Sequence, residues 1–118
     1  MGESFKDLLG WQRAVELSIA TYKFTAAFPS AEQPGLSNQL RWASVSIASN
    51  IAEGYGRATR GEYLLFLGHA RGSNFEVETQ LVISKGLRFG SNELRSVAEN
   101  LRNEVGKMLV AMMKTLRK

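Results

Sequence analysis

The sequence predicts an all-α fold, an antiparallel up-down-up-down four-helix bundle that takes residues 1–118 as a single domain. Three observations lead there. Apolar residues recur at intervals of three and four through four separate blocks, the period of an amphipathic helix, and nowhere alternate at a period of two. Breakers part the blocks: Phe28-Pro29, Pro34-Gly35, Gly54 with Gly56, and Phe89-Gly90-Ser91. The connections left between them are short, and short connections make antiparallel neighbours.

The first helix is expected at about 7–27, with Asp7 as its N-cap. Leu8, Trp11, Val15, Ile19, Tyr22 and Ala26 form its inward stripe, widened by Leu9, Leu17, Ala20, Phe24 and Phe28. Residues 29–35 read as a loop, since the residue before a proline avoids the helical region. The second helix, about 36–55, has Leu36, Leu40, Ala43, Ile47, Ile51 and Gly54 on its core face, and Gly54 and Gly56 end it. Trp42, Val45 and Ala52 lie almost opposite, so this helix asks to be covered on both sides.

Thr59 with Glu62 resembles a capping box that opens a third helix, about 60–87. Its core face carries Tyr63, Phe66, Leu67, Ala70, Val77 and Leu81, with Asn74 among them. A second surface carries Leu64, Phe75 and Val82 beside Gly68 and Gly72, whose spacing lets another backbone come close. Ser91 caps a fourth helix, about 92–116, with Leu94, Val97, Leu101, Val105, Met108, Met112 and Leu116 in near-heptad register. Val110 and Met113 fall off that stripe, as a second contact surface would require.

Composition narrows the function classes. Without cysteine there is no disulfide, thiolate nucleophile or cysteine metal site, which suits a reducing cytoplasm. The first residues lack the apolar run of a signal peptide, and no uncharged run approaches the roughly 18 residues of a membrane span. Net charge is +4, and residues 91–118 hold six basic against three acidic groups. A basic tail attracts phosphates or acidic proteins, and it also suits a helix C-terminus, where the dipole favours cations. Arg41, Arg57, Arg60, Lys114, Arg117 and Lys118 are the candidate nucleic-acid contacts.

The chemistry of an enzyme is not expected. His69 is the only histidine, and no Glu-x-x-His pair, Gly-Lys-Ser/Thr phosphate loop or Gly-x-Ser-x-Gly elbow occurs. No cofactor, metal or small-molecule substrate is implied. The informative polar residues are Ser46, Asn50 and Glu53 on the second helix, with Ser73 and Glu76 on the third. They form either a network between the two helices or a polar seam between subunits. Asn50 is expected to be buried and hydrogen-bonded, because it lies between Ile47 and Ile51. Trp42, Val45, Gly68, Gly72 and Phe75 are the expected oligomer contact, since one antiparallel bundle covers only one broad face of each helix.

Three blocks then resemble a known family. They are Phe5, Leu8, Trp11, Ala14, Leu17 and Tyr22 with Phe28-Pro29; Gln39-Leu40-Arg41, Ala43, Ser46-Ile47, Asn50-Ile51 and Glu53-Gly54; and Phe66-Leu67, Ala70, Gly72-Ser73, Glu76, Glu78-Thr79 and Leu81. The resemblance is to the four helix bundle family of small bacterial proteins, which includes proteins encoded by intervening sequences in 23S ribosomal RNA genes. Accessory variability proteins of diversity-generating retroelements are similar. The resemblance implies a cytoplasmic bacterial protein, a homopentamer, and no catalytic residues to carry over. It implies a non-enzymatic oligomeric scaffold or binding module with weak RNA or DNA binding; the alternative is a protein-interaction adaptor with no nucleic-acid role. Trp42 departs from the pattern, standing where many relatives carry a second basic residue after Arg41, which favours an apolar contact there.

Overall fold

The computed structural model describes residues 4–118, and among them every regular element is helical. Four long helices carry the fold: α1 (Leu9–Thr25), α2 (Asn38–Tyr55), α3 (Arg60–Leu87) and α4 (Asn92–Arg117). Each packs on two neighbours, α1 and α3 both lying against α2 and α4, which makes a bundle around one apolar core. Side chains that touch across the interfaces fix the sense of each pairing. Ser46 of α2 meets Ser73 of α3, and Gly54 meets Tyr63 and Phe66, so these two run oppositely. Arg13 bonds Glu104 while Gly10 faces Met108 and Met112, which sets α1 against α4 in the same way. Asn74 reaches Arg102, and Arg60 reaches Lys118, so α3 and α4 are antiparallel too.

The start of α1 departs from expectation. Asp7 does not cap it: Phe5–Asp7 is a separate 3-10 turn, held by Ser4 Oγ accepting from Lys6 N at 3.1 Å. Residues 29–35 are not an open loop. A 3-10 turn (Ser30–Glu32) and a π turn (Gln33–Ser37) lead into α2, and Glu32 Oε1 accepts from Leu36 N at 3.2 Å. The helix start is therefore Asn38 rather than 36. Gly54 does not stop α2; it is buried within it, and Gly56 is the cap, donating to the carbonyls of Ala52 and Glu53.

The other ends follow the sequence closely. Thr59 Oγ1 accepts from Glu62 N at 3.1 Å, and its hydroxyl donates to the Glu62 carboxylate at 3.0 Å, half of the reciprocal box expected. Arg88 closes α3 in the left-handed conformation (φ 60°), with Phe89 N donating back to Ser84 O at 3.0 Å. Ser91 Oγ accepts from Leu94 N at 3.0 Å and opens α4.

The core faces of α2 and α3 are as read: Leu40, Ile47, Ile51, Leu67, Ala70, Asn74, Val77 and Leu81 are all buried. Two helices are rotated from expectation. On α1 the buried line is Gly10, Ala14, Leu17, Thr21 and Phe24, leaving Ile19 and Tyr22 about half exposed, at 51% and 49%. On α4 the buried line includes Ala98, Leu109 and Met113, so Met113 belongs to the core, while Val97 faces out. Both helices carry two apolar stripes side by side, and period alone does not say which the neighbours cover.

Candidate interaction surface

The polar stripe sits along the α2–α3 groove. Ser46 Oγ and Ser73 Oγ are 2.9 Å apart and join the two helices. Asn50 is half-buried rather than buried, and its Nδ2 donates to Ser46 O at 2.8 Å and Ser46 Oγ at 3.0 Å. Glu53 turns outward and pairs with Arg57 at 2.8 Å. Glu76 is exposed on the groove wall, which Gln39, Trp42 and Gln80 continue around a hollow of about 380 Å3. Within one chain the stripe is thus partly an internal network, through Ser46, Asn50 and Ser73, and partly an open surface.

The apolar contact residues all face out. Trp42 is 69% exposed, with Val45 a turn further on. Trp42 also borders a second hollow of about 250 Å3 with Tyr22, Asn38, Arg41 and Val45. On α3, Phe75 and Val82 face outward as expected, but Leu64 does not: it is half-buried against the core, and Leu65 and Ile83 are exposed in its stead. Gly68 and Gly72 meet nothing: a Cβ on either would have no neighbour within 4 Å. Sequence reasoning missed a further exposed patch, because it assigned the residues to the core. Ile19 and Val97, with Leu94 and Leu101, line a groove between α1 and α4.

Five of the six candidate nucleic-acid contacts gather at one end of the bundle. Arg57 and Arg60 lie at the α2–α3 connection and Lys114, Arg117 and Lys118 at the end of α4; Arg60 Nη1 donates to Lys118 O at 2.9 Å. Arg57 is engaged with Glu53 and lies 4.6 Å from the centre of the Phe66 ring. Arg41 stands apart: its Nε donates to Thr25 Oγ1 at 2.9 Å and its guanidinium lies over Tyr22, which ties α2 to α1.

The Tyr63 phenol is pushed above its ordinary value, first by burial and then by Tyr55. The Arg13 guanidinium is raised by its hydrogen bonds to Glu104 and Glu16. His69 is exposed, with its ring 5.7 Å from that of Phe66. Among the described residues no three His, Asp or Glu side chains converge as metal ligands, and no helix is long and apolar enough to cross a membrane.

The family model of the 23S rRNA-intervening sequence protein matches residues 6–111, nearly the whole bundle. The chain belongs to the 23S rRNA-intervening sequence protein family. A solved structure, a protein with unknown function from the S23 ribosomal protein family of Bacteroides thetaiotaomicron VPI-5482, superposes with a TM-score of 0.78 at 22% identity. The alignment covers 90% of this chain and 99% of that one, so the two share a fold. No curated protein matches the chain. The family match spans the three sequence blocks that carry the resemblance except for Phe5, and stops within the last turns of α4, before Lys114, Arg117 and Lys118.

Proposed function

We propose that this intervening-sequence family member is a non-enzymatic, cytoplasmic bacterial scaffold that works as a homo-oligomer, with weak binding of RNA or DNA at its basic end. One observation carries the reading: α2 and α3 turn Trp42, Leu65, Phe75 and Val82 to water, at 69%, 57%, 48% and 64% exposure. A monomer rarely leaves so much apolar surface on adjacent helices uncovered. Burying it against other copies contributes roughly 25 cal/mol per Å2 before the costs of association, enough for several kcal/mol around one tryptophan. The family resemblance supplies the number five; the residues supply only self-association.

Light scattering at micromolar concentration tests this. The expected mass is a multiple of the 13.1 kDa chain, five-fold if the resemblance holds. A mass of one chain rejects the reading. The basic end favours nucleic acid over a purely protein-binding adaptor, because its cations come from two chain segments held together by the Arg60–Lys118 bond.

A further inference from the structure

We propose that the groove between α3 and α4 is a binding site for a small phosphomonoester: a phosphate dianion carried on a compact organic body, of which a nucleoside monophosphate is a simple example. The site lies away from the basic pole and stands independently of the self-association proposed above.

Helical spacing puts its residues on two facing lines. Arg71, Asn74 and Phe75 stand at i, i+3 and i+4 on α3. Arg102, Gly106 and Val110 stand at i, i+4 and i+8 on α4, with Lys107 beside them. Antiparallel packing sets the two lines level, since Asn74 Nδ2 donates to Arg102 O at 3.3 Å. Together they line a hollow of about 400 Å3, within the roughly 300–1,000 Å3 of small-ligand sites.

Charge selects the ligand. Arg71, Arg102 and Lys107 border the hollow, and no carboxylate lines it. Among the described residues neither Arg71 nor Lys107 has an acidic partner. Arg102 has one, Glu78 at 3.7 Å, and its side chain is only 12% exposed. Three positive charges less the one that Glu78 offsets leave two. A phosphomonoester carries close to two negative charges at neutral pH, whereas a phosphate inside a nucleic-acid chain carries one. The balance therefore favours the monoester. Arg71 is also held ready: its guanidinium lies 5.1 Å from the centre of the Phe75 ring, a cation–π contact. A cation fixed in advance loses less freedom when it binds. The site uses Phe75 to hold Arg71, so it stands whether or not other copies cover the outer face of α3.

The buried side of the hollow supplies a second, independent observation. Asn74 lines it while only 2% exposed, and its Oδ1 accepts no hydrogen bond among the described residues. A buried acceptor left bare costs free energy until a donor meets it. Gly106 adjoins this amide: a Cβ there would stand 3.0 Å from Asn74 Nδ2. Glycine inside a helix weakens it, and here the missing side chain keeps the hollow open toward Asn74. A hydroxyl or amine of the organic body that reaches Asn74 supplies the absent donor, and half-exposed Val110 offers a wall for its apolar atoms.

Isothermal titration calorimetry of the full chain with adenosine monophosphate tests this. Binding at millimolar concentration or below is expected. Adenosine lacks the phosphate and cyclic adenosine monophosphate carries it as a diester, so both should bind about ten-fold more weakly or worse. Arg71→Gln with Lys107→Gln should weaken binding by about ten-fold or more, as the loss of charge-assisted hydrogen bonds does. Helical circular dichroism should persist, because both side chains are exposed and lack ion-pair partners. Lys107→Glu alone is a second variant and should weaken binding likewise. Lys114→Ala, Arg117→Ala and Lys118→Ala together should leave it unchanged. No binding, equal affinity for the cyclic diester, or an affinity untouched by both groove variants overturns the inference. Loss of binding in the triple variant moves the phosphate to the basic pole and overturns it too. A short RNA with and without a terminal phosphate identifies the source. Displacement of adenosine monophosphate by the phosphorylated form alone assigns the site to a nucleic-acid end, and displacement by neither assigns it to a free small molecule. Equal displacement by both makes the groove a general track for polyanions and overturns the inference.

Discussion

A methyl group on Gly54 would stand 2.9 Å from Phe66 Cβ and 3.0 Å from Tyr63 Cδ1, closer than side chains tolerate. Gly54 lets α2 and α3 come close just before the chain turns. Gly54→Ala gains about 1 kcal/mol in helix propensity but forces two aromatic side chains aside, and a net loss of about 1–3 kcal/mol is expected in urea unfolding. An unchanged midpoint would remove the close-approach role. In the sequence, Gly54 is legible as a core-face position but also reads as a helix stop, because a glycine at a helix end and one at a helix crossing look alike without the partner. Tyr63, its neighbour across that crossing, gives a pH test. Its phenol is pushed above the ordinary 10.0 in the folded protein. The unfolded chain therefore releases this proton first, and the folded state holds it. Below about pH 10 both states are protonated and nothing differs; above it, stability falls as pH rises. Tyr63→Phe should lessen that alkaline loss in melting curves at pH 9 to 11, and equal slopes for both proteins would contradict the burial argument.

Among the elements, α3 and α4 were nearly fully legible at their ends, because their stop and start signals are chemical. Arg88 in left-handed backbone, Gly90 at φ 72° and the Ser91 hydroxyl leave α3 no way to continue and α4 a ready donor-acceptor start. Ser91→Ala removes the acceptor for Leu94 N and is expected to cost about 1 kcal/mol, while Ser91→Asp should keep it. Equal melting temperatures for wild type and Ser91→Ala would show that solvent replaces the cap. The beginning of α1 was less legible: Asp7 is a good cap by type, but Ser4 takes the turn first and displaces the helix to Leu9. The phases of α1 and α4 were the hardest to read. Ile19 is as apolar as Leu17, and Tyr22 differs from Phe24 by one hydroxyl, so the positions of α2 and α4 largely decide which pair is covered. The outward placement of Trp42, Val45, Phe75 and Val82 was legible because the core stripes of α2 and α3 are unambiguous, whereas Leu64, at the edge of the α3 stripe, packs against the core.

On the scale of the whole molecule, charge is arranged along the bundle rather than around it. The α2–α3 connection and the end of α4 bring Arg57, Arg60, Lys114, Arg117 and Lys118 to one pole. The sequence showed the surplus at the C-terminus, but not that Arg60 would join it from 58 positions away. The field of that pole is also shaped by four helix ends, since α1 and α3 begin there and α2 and α4 finish. Arg57 is already partnered by Glu53, so the cations open to phosphates are mainly those of α4 with Arg60. In the proposed homo-oligomer each added copy brings another basic pole, which multiplies a weak single-chain attraction by avidity. Each phosphate contact lowers the logarithm of the affinity by roughly 0.7–0.9 per decade of salt. Fluorescence anisotropy with a single-stranded RNA between 50 and 200 mM salt should therefore show a steep fall for the wild type. Lys114→Ala, Arg117→Ala and Lys118→Ala together should flatten that slope without changing the oligomer mass. A slope unaffected by removing the three would place nucleic acid elsewhere or nowhere. In the latter case the exposed apolar faces of α2 and α3 would still call for a covering partner, because that demand comes from Trp42 and Phe75 and not from the charge.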